Sequence, residues 1–168
     1  MFDFGIEGYR PHWLNDPGLV ARTHGPRLRA LSGRTLTQVW TVWDLVDDEW
    51  FRDCPVLLDF DDVQVEVNHR KFDDLSLTWN TINPRRPVSW TGFDLEWRSE
   101  ALPGLQMLRG MTLRGAELLE WIVGNVAGST ADVSFVFPDA RLTVFNALDE
   151  NGLTFDPPGP DQRVHPYP

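Results

Sequence analysis

The sequence predicts a mainly β protein of the β-rich α+β class, with an internally duplicated antiparallel sheet that forms a barrel or a sandwich and carries short capping helices. This class is predicted by repetition. Three blocks recur in the same order at offsets of 77, 77 and 76 residues (108 − 31, 133 − 56 and 153 − 77): 31–36 with 108–113, 56–60 with 133–137, and 77–79 with 153–155. The first pair reads LSGRTL and LRGMTL. We therefore expect two copies of one unit, related by a pseudo-two-fold axis.

The chain length suits a single domain, which we divide at the boundaries of the two copies. The segments are an N-terminal segment (1–27), copy 1 (28–80), an inter-repeat insert (81–104), copy 2 (105–157) and a proline-rich tail (158–168). Pro11, Pro17 and Pro26 leave room in the N-terminal segment only for short helical turns, such as residues 18–22. The tail is expected to be extended.

The leading element of each copy gives conflicting signals. Residues 35–43 are rich in β-branched and aromatic side chains and predict a strand, whereas the corresponding residues 112–121 have helix propensity. Because duplicated units share structure, and because tertiary pairing overrides helix propensity more easily than the reverse, we predict strand for the first half of both. A helical turn can follow in each copy, at 44–51 and at 118–123.

A hairpin and a closing strand complete each copy. Val63, Val65 and Val67 alternate with Gln64 and Glu66, which indicates a strand with one buried face. The same alternation recurs in copy 2. The strands predicted after the leading elements are 56–60, 63–67 and 75–79 in copy 1, 88–97 in the insert, and 133–137, 140–144 and 153–155 in copy 2.

The charge balance excludes two classes of partner. The formal net charge is −10, because 25 acidic side chains outnumber 15 basic ones. A phosphate-binding face needs clustered cations, so we expect no nucleic acid. The same charge disfavours an anionic membrane surface. A basic protein partner remains compatible with it.

Cysteine content and the N-terminus indicate the compartment. Cys54 is the only cysteine, so no intramolecular disulfide can form. The first residues lack the basic and apolar regions of a secretory signal, and no stretch reaches the roughly 20 apolar residues that span a bilayer. We therefore expect a cytoplasmic protein.

The sequence contains no recognisable motif for catalysis or metal binding. The four histidines lack the i, i+4 spacing that places two imidazoles on one helix face. Cys54 has no histidine near it in sequence, which favours a spectator thiol over a nucleophile. We therefore expect no metal and no cofactor, and favour a non-catalytic protein over an enzyme.

Two corresponding turns are the first candidate site. Residues 68–74 are basic in the middle, whereas residues 146–151 are acidic. If the turns converge, His69 can form an acid–base pair with Asp149 or Glu150. The alternative is a pair of solvated turns in which Asn and Asp bind their own backbone. The candidate binding residues here are Asn68, His69, Asp73, Asn146, Asp149 and Glu150.

Trp43 and Trp50 are the candidate surface aromatics. Trp40 and Trp43 cannot both face inward on a regular strand, so one of them is expected at the surface. Trp50 adjoins the acidic residues 47–49, and an exposed tryptophan ringed by acids suits a partner interface. Indoles on a β-face also bind sugars or apolar ligands, although core packing explains most tryptophans of this chain.

The order of the motifs also resembles a group of proteins. Leu-x-Gly-x-Thr-Leu, a hairpin, Asn-x-x-Asp and a closing strand, found across residues 28–157, resemble uncharacterised small acidic proteins of the actinobacterial type. The resemblance implies no catalytic residue.

Together these features favour a non-catalytic cytoplasmic binding protein with an acidic, aromatic-containing surface, such as an immunity-type or regulatory partner of a basic protein. The alternative is a small enzyme or small-molecule-binding protein with its site between the two copies. A duplicated unit can complete within one chain the closure that a homodimer of single copies would provide, so a monomer is favoured over a homodimer.

Overall fold

The computed structural model describes residues 4–123 and 126–167 and contains two antiparallel β-sheets with two short helices. The prediction of a β-rich, antiparallel fold is confirmed. Of the barrel and the sandwich left open by the sequence, the barrel is excluded because the sheets do not close. Within the described residues, no helix has the length and apolar character needed to cross a bilayer.

The N-terminal segment contains a longer helix than predicted. β1 (Trp13–Leu14) is followed by α1 (Pro17–Ala30), whose first turn is capped by Asp16 accepting the Leu19 N–H at 2.7 Å. Pro17 is tolerated because a main-chain N–H in the first helical turn has no acceptor within the helix, so its absence costs no hydrogen bond. Val20, Ala21 and Leu28 share a buried face of the helix. Burial of this face stabilises the helix through Pro26, so the prediction of short turns was wrong.

The first sheet is built from copy 1, with β1 and the insert strand added at its edges. The other strands are β2 (Leu36–Asp44), β3 (Glu49–Trp50), β4 (Val56–Phe60), β5 (Val63–Arg70), β6 (Asp74–Trp79) and β7 (Leu95–Ser99). The strand order of the sheet is β1-β6-β5-β4-β2-β3, and β7 also pairs with β2. Residues 45–48 form a turn between β2 and β3, not the helical turn predicted for 44–51.

The second sheet is built from copy 2 and the tail. After α2 (Leu105–Leu108), its strands are β8 (Gly115–Val123), β9 (Val126–Phe137), β10 (Ala140–Asn146), β11 (Asn151–Thr154) and β12 (Gln162–His165), in the order β11-β10-β9-β8-β12. β8 pairs on both sides, with β9 and with β12, which satisfies its backbone as a strand. The helical turn predicted for 118–123 is therefore absent. Strand order β6-β5-β4-β2 in the first sheet corresponds to β11-β10-β9-β8 in the second.

The tail is extended but anchored. β12 pairs with β8, and Tyr167 packs beside Gly25 of α1. The Arg29 guanidinium donates to the Tyr167 carbonyl oxygen at 3.0 Å and lies 5.5 Å from the Tyr167 ring centroid. The Tyr167 hydroxyl donates to the Ala116 carbonyl oxygen. The proline content of the tail predicted its extension but not these contacts.

Two hydrophobic clusters lie on opposite faces of the first sheet. The main core lies between the sheets, where the rings of Phe60 and Phe135 are 5.6 Å apart. A smaller cluster lies on the outer face, around Val42 and Leu57. The N-terminal segment and the insert cover that outer face, contributing Phe4, Ile6, Tyr9, Ile82, Val88, Leu95 and Trp97.

Candidate functional site

The structure brings the two predicted turns together and buries three of their polar side chains, Asn68, His69 and Asn151. β5 continues to Arg70 and β6 begins at Asp74, so Asn68 and His69 are strand residues. Both are fully buried. The prediction that they belong to a solvated turn was wrong, because both lie in a paired strand and are covered where Asn151 binds them.

The side-chain amide of Asn151 joins the two sheets at this point. Its Nδ2 donates to Asn68 Oδ1 at 2.8 Å and to the carbonyl oxygens of Arg52 and Cys54 at 2.9 Å each. Its Oδ1 accepts the main-chain N–H of His69 at 2.8 Å. The two Nδ2 hydrogens are shared among these three acceptors, and the buried amide with its four contacts fixes the relative placement of β5 and β11.

His69 has a structural position. Its Nε2 lies 3.2 Å from the carbonyl oxygen of Val144, which can only accept, so Nε2 carries the proton. Its Nδ1 is buried with no partner among the described residues. Burial lowers the pKa of His69 to about 4, opposed by the hydrogen bond to Val144, so the ring is neutral at pH 7.

The acidic residues of the second turn lie away from the His69 ring. Asp149 donates its main-chain N–H to Asn146 Oδ1 at 3.0 Å, and Asn146 Nδ2 donates to the Lys71 carbonyl oxygen at 2.5 Å. Glu150 pairs with Arg52 at 3.8 Å. Asp73 is half-buried in the turn between β5 and β6. The structure therefore joins the turns through amides and backbone, without an imidazole–carboxylate pair.

Trp43 and Trp50 lie opposite each other in the pairing of β2 with β3. Trp43 is half-buried; its Nε1 donates to Asp48 Oδ1 at 2.9 Å, and the Arg98 guanidinium lies 5.3 Å from its ring centroid. Trp50 is only 9% exposed, so its prediction as a surface aromatic was wrong. The Arg52 guanidinium covers it, 4.9 Å from the ring centroid.

Trp50 and Arg52 line a cleft between the two sheets, which we call the inter-sheet cleft. Its volume is about 240 Å³, and its other lining residues are Leu102, Pro103, Phe145, Gly152, Leu153 and Phe155. The indole N–H of Trp50 is buried without an acceptor in the described part of the chain. Sequence reasoning missed Arg52, which lies in the turn that follows β3 and belongs to no motif.

Acidic and apolar side chains are exposed together at the turn between β2 and β3. The main-chain N–H of Leu45 donates to the Asp94 carbonyl oxygen at 2.9 Å, which places the insert beside this turn. Val46, Phe93 and Leu45 are 77%, 48% and 38% exposed. We call this surface the β2–β3 patch; it comprises Leu45, Val46, Asp47, Asp48, Glu49, Phe93 and Asp94, all of them exposed.

A second cavity of about 280 Å³ lies on the outer face of the second sheet, lined in part by Trp121, Phe145, Thr143 and Gln162. Beneath it, fully buried Asp132 accepts from Trp121 Nε1 at 2.9 Å and Gln162 Nε2 at 3.0 Å. Burial raises the pKa of Asp132 to about 6 against these hydrogen bonds. Its carboxylate thus orients the side chains beside the cavity.

The other chemistry-bearing residues within the described ranges form no assembled metal centre. Among the described residues, no three His, Cys, Asp or Glu side chains come together as a metal-binding group. Cys54 is fully buried, and burial raises the pKa of its thiol, which suppresses the thiolate. The chain matches no known protein family, no curated protein and no solved structure.

Proposed function

We propose that this protein is a non-catalytic binding protein of the cytoplasm that engages a basic protein partner through the β2–β3 patch. The observation that carries the proposal is Val46, 77% exposed and followed directly by the exposed acidic residues Asp47, Asp48 and Glu49. An immunity-type or regulatory protein would act in this way, by covering the cationic surface of its partner.

The patch has the composition of a protein interface. Val46, Phe93 and Leu45 are exposed apolar residues, and exposed acidic residues adjoin them in sequence, a mixture that is common at protein interfaces. Exposed apolar side chains grouped in this manner are unfavourable in water and gain from being covered by a partner.

The charges of the patch favour a cationic partner. Arg98 is the neighbouring cation, and it already pairs with Asp48 at 3.6 Å and with Glu96 at 2.7 Å. Asp47, Glu49 and Asp94 form no ion pair with another described residue. Their uncompensated charge would steer a basic surface toward the patch and accelerate association.

The patch is also held in a fixed shape. Asp44, at the end of β2, accepts the main-chain N–H groups of Val46 at 2.9 Å and Asp47 at 3.3 Å. Asp48 is fixed by the Trp43 indole. A preorganised turn loses little conformational entropy on binding, which favours affinity.

The alternative of an enzyme that uses His69 has less support. Its ring is buried and neutral. The Glu150 carboxylate pairs with Arg52, and Asp149 is exposed. We further propose that the chain is a duplicated unit that acts as a monomer. The common strand order of the two sheets supports duplication.

The proposal is tested by affinity capture from a lysate of cells that carry the gene, with quantification of the captured proteins. The charge variant Asp47→Asn/Glu49→Gln/Asp94→Asn and the apolar variant Val46→Ser/Phe93→Ser are compared with the wild type. The matched control, Glu7→Gln/Asp139→Asn/Asp161→Asn, removes the same number of charges from exposed positions elsewhere.

We expect a basic protein to be captured in stoichiometric amount by the wild type and the control, and lost by both patch variants. Its capture should weaken as salt is raised, because the exposed charges are screened. A partner that both patch variants retain, or the repeated absence of any stoichiometric partner, contradicts the proposal.

A further inference from the structure

We propose that the inter-sheet cleft binds a small apolar carboxylate, of the size of an aryl or short-chain carboxylic acid. The acid group would lie between the Arg52 guanidinium and the Trp50 indole N–H, with the apolar body against the rings and aliphatic side chains of the second sheet. The cleft shares no residue with the β2–β3 patch, so this inference is independent of the proposed protein partner.

The first argument is the unpaired donor. Trp50 lines the cleft, and its Nε1 is buried without an acceptor among the described residues. Other indoles of the chain have one: Trp40 donates to Asp59 at 3.0 Å, and Trp121 donates to Asp132 at 2.9 Å. A buried N–H without an acceptor is unfavourable, so an acceptor atom supplied by a ligand would gain the full interaction.

The second argument is the cation at the same cleft. The Arg52 guanidinium presents five N–H donors in a plane that matches a carboxylate. Its ion pair with Glu150 is long, at 3.8 Å, and both side chains are nearly half exposed, at 47% and 42%. A contact of this length and exposure leaves the guanidinium available for a ligand carboxylate.

The position of Arg52 is fixed by its backbone. Its carbonyl oxygen accepts from the main-chain N–H of Asn151 at 3.1 Å and from Asn151 Nδ2 at 2.9 Å. The buried amide that joins the two sheets therefore also fixes the backbone from which the Arg52 side chain extends. An anchored donor pays less ordering entropy when a ligand binds.

The third argument is the remainder of the lining, which limits the ligand to a small apolar body. Besides Trp50 and Arg52, the cleft is lined by Leu102, Pro103, Phe145, Gly152, Leu153 and Phe155, none of which carries a polar side chain. Its volume of about 240 Å³ lies below the roughly 300–1,000 Å³ that is typical of pockets for larger ligands. One ring or a short chain is the matching size.

The probe for this site is phenylacetate, titrated calorimetrically into the full chain at pH 7, with phenylacetamide as its neutral analogue. Arg52→Gln removes the charge and keeps the carbonyl that binds Asn151. Trp50→Phe removes the indole N–H and keeps an aromatic ring. Arg98→Gln is the matched control, because Arg98 also covers a tryptophan, Trp43, at a ring distance of 5.3 Å.

We expect phenylacetate to bind the wild type and Arg98→Gln with equal affinity. We expect its affinity for Arg52→Gln to be lower by about tenfold or more. Trp50→Phe should also weaken binding, and the amide should bind more weakly than the acid. The proposal is overturned if phenylacetate does not bind the wild type below about 10 mM. It is also overturned if Arg52→Gln matches Arg98→Gln, or if the amide binds as tightly as the acid. If Trp50→Phe does not fold, the titrations of Arg52→Gln with phenylacetate and of the wild type with phenylacetamide still test the proposal.

Discussion

Gly33 donates its main-chain N–H to the carbonyl oxygen of Leu113 at 2.8 Å. The equivalent bond between the counterparts of these residues is also present: Gly110 donates its main-chain N–H to the carbonyl oxygen of Leu36 at 2.8 Å. Each pair of counterparts is 77 residues apart (110 − 33 and 113 − 36). Reciprocal contacts of this kind occur at isologous two-fold interfaces. The two segments most alike in sequence thus pair with each other, as a pseudo-two-fold axis requires.

Replacement of Gly33 or Gly110 by alanine is expected to lower the free energy of unfolding by about 1 kcal/mol each. Both residues have a left-handed backbone, with φ of 84° and 86°. No atom lies within 4 Å of an added Cβ at either position, so the loss comes from backbone conformation alone. Equilibrium urea unfolding measures it, with Gly159→Ala as the control. Equal stability of all three variants would contradict the assignment.

Asn151→Ala is expected to destabilise the protein by about 3 kcal/mol or more. It leaves the buried main-chain N–H of His69, the Oδ1 of Asn68 and the Cys54 carbonyl oxygen without this partner. The Arg52 carbonyl oxygen loses one of its two donors and keeps the main-chain N–H of residue 151. Thermal and urea unfolding measure the change. Asn83→Ala, which removes an exposed amide that caps Arg85, is the control and should change stability by less than about 0.5 kcal/mol. A loss at Asn151 no greater than at Asn83 would refute the role assigned to this amide.

Stability is expected to depend on pH through His69. Its pKa is lowered from 6.5 to about 4 in the native state, so between these values the unfolded chain binds more protons. The free energy of unfolding should therefore fall as pH is lowered from about 6.5 to about 4, by about 3 kcal/mol in total. His24, with its pKa also lowered to about 4, acts in the same direction.

Asp132 acts in the opposite direction, because its pKa is raised to about 6 and its protonation favours the native state as pH falls. The His69 contribution is isolated by comparing His69→Gln with the wild type in urea unfolding at pH 4, 5, 6 and 7. The variant is expected to be less stable at pH 7 and to show a smaller loss on acidification. An unchanged pH slope would show that His69 does not titrate as described.

Removal of residues 161–168 is expected to destabilise the protein by about 3 kcal/mol or more and to promote aggregation. The truncation leaves buried Glu120 without Arg163 and His165, whose ring nitrogen lies 2.7 Å from its carboxylate. It also exposes the edge of β8, which other chains could pair with. Unfolding and light scattering measure both effects, with Val164→Thr at a half-exposed position as the control. A truncated chain as stable and monomeric as the control would contradict the assigned role of the tail.

The strand pattern was readable from the sequence because it is local. The alternation around Val65 placed a half-buried strand, and β5 is found there. Helix α1 was missed because Pro17 and Pro26 suggested breaks, whereas the buried face containing Val20 and Leu28 stabilises the helix through tertiary packing. The candidate site was located only in part: residues 68–74 and 146–151 do meet, but their chemistry was not predicted.

The sequence by itself determined the β-rich class and the positions of most strands, because hydrophobic periodicity is a property of the chain alone. Only the tertiary structure decided that His69 is buried, neutral and hydrogen-bonded to Val144, that Trp50 lies under Arg52, and that the β2–β3 patch is exposed. Burial of a polar or aromatic side chain depends on which distant segment packs over it, and local sequence does not contain that information.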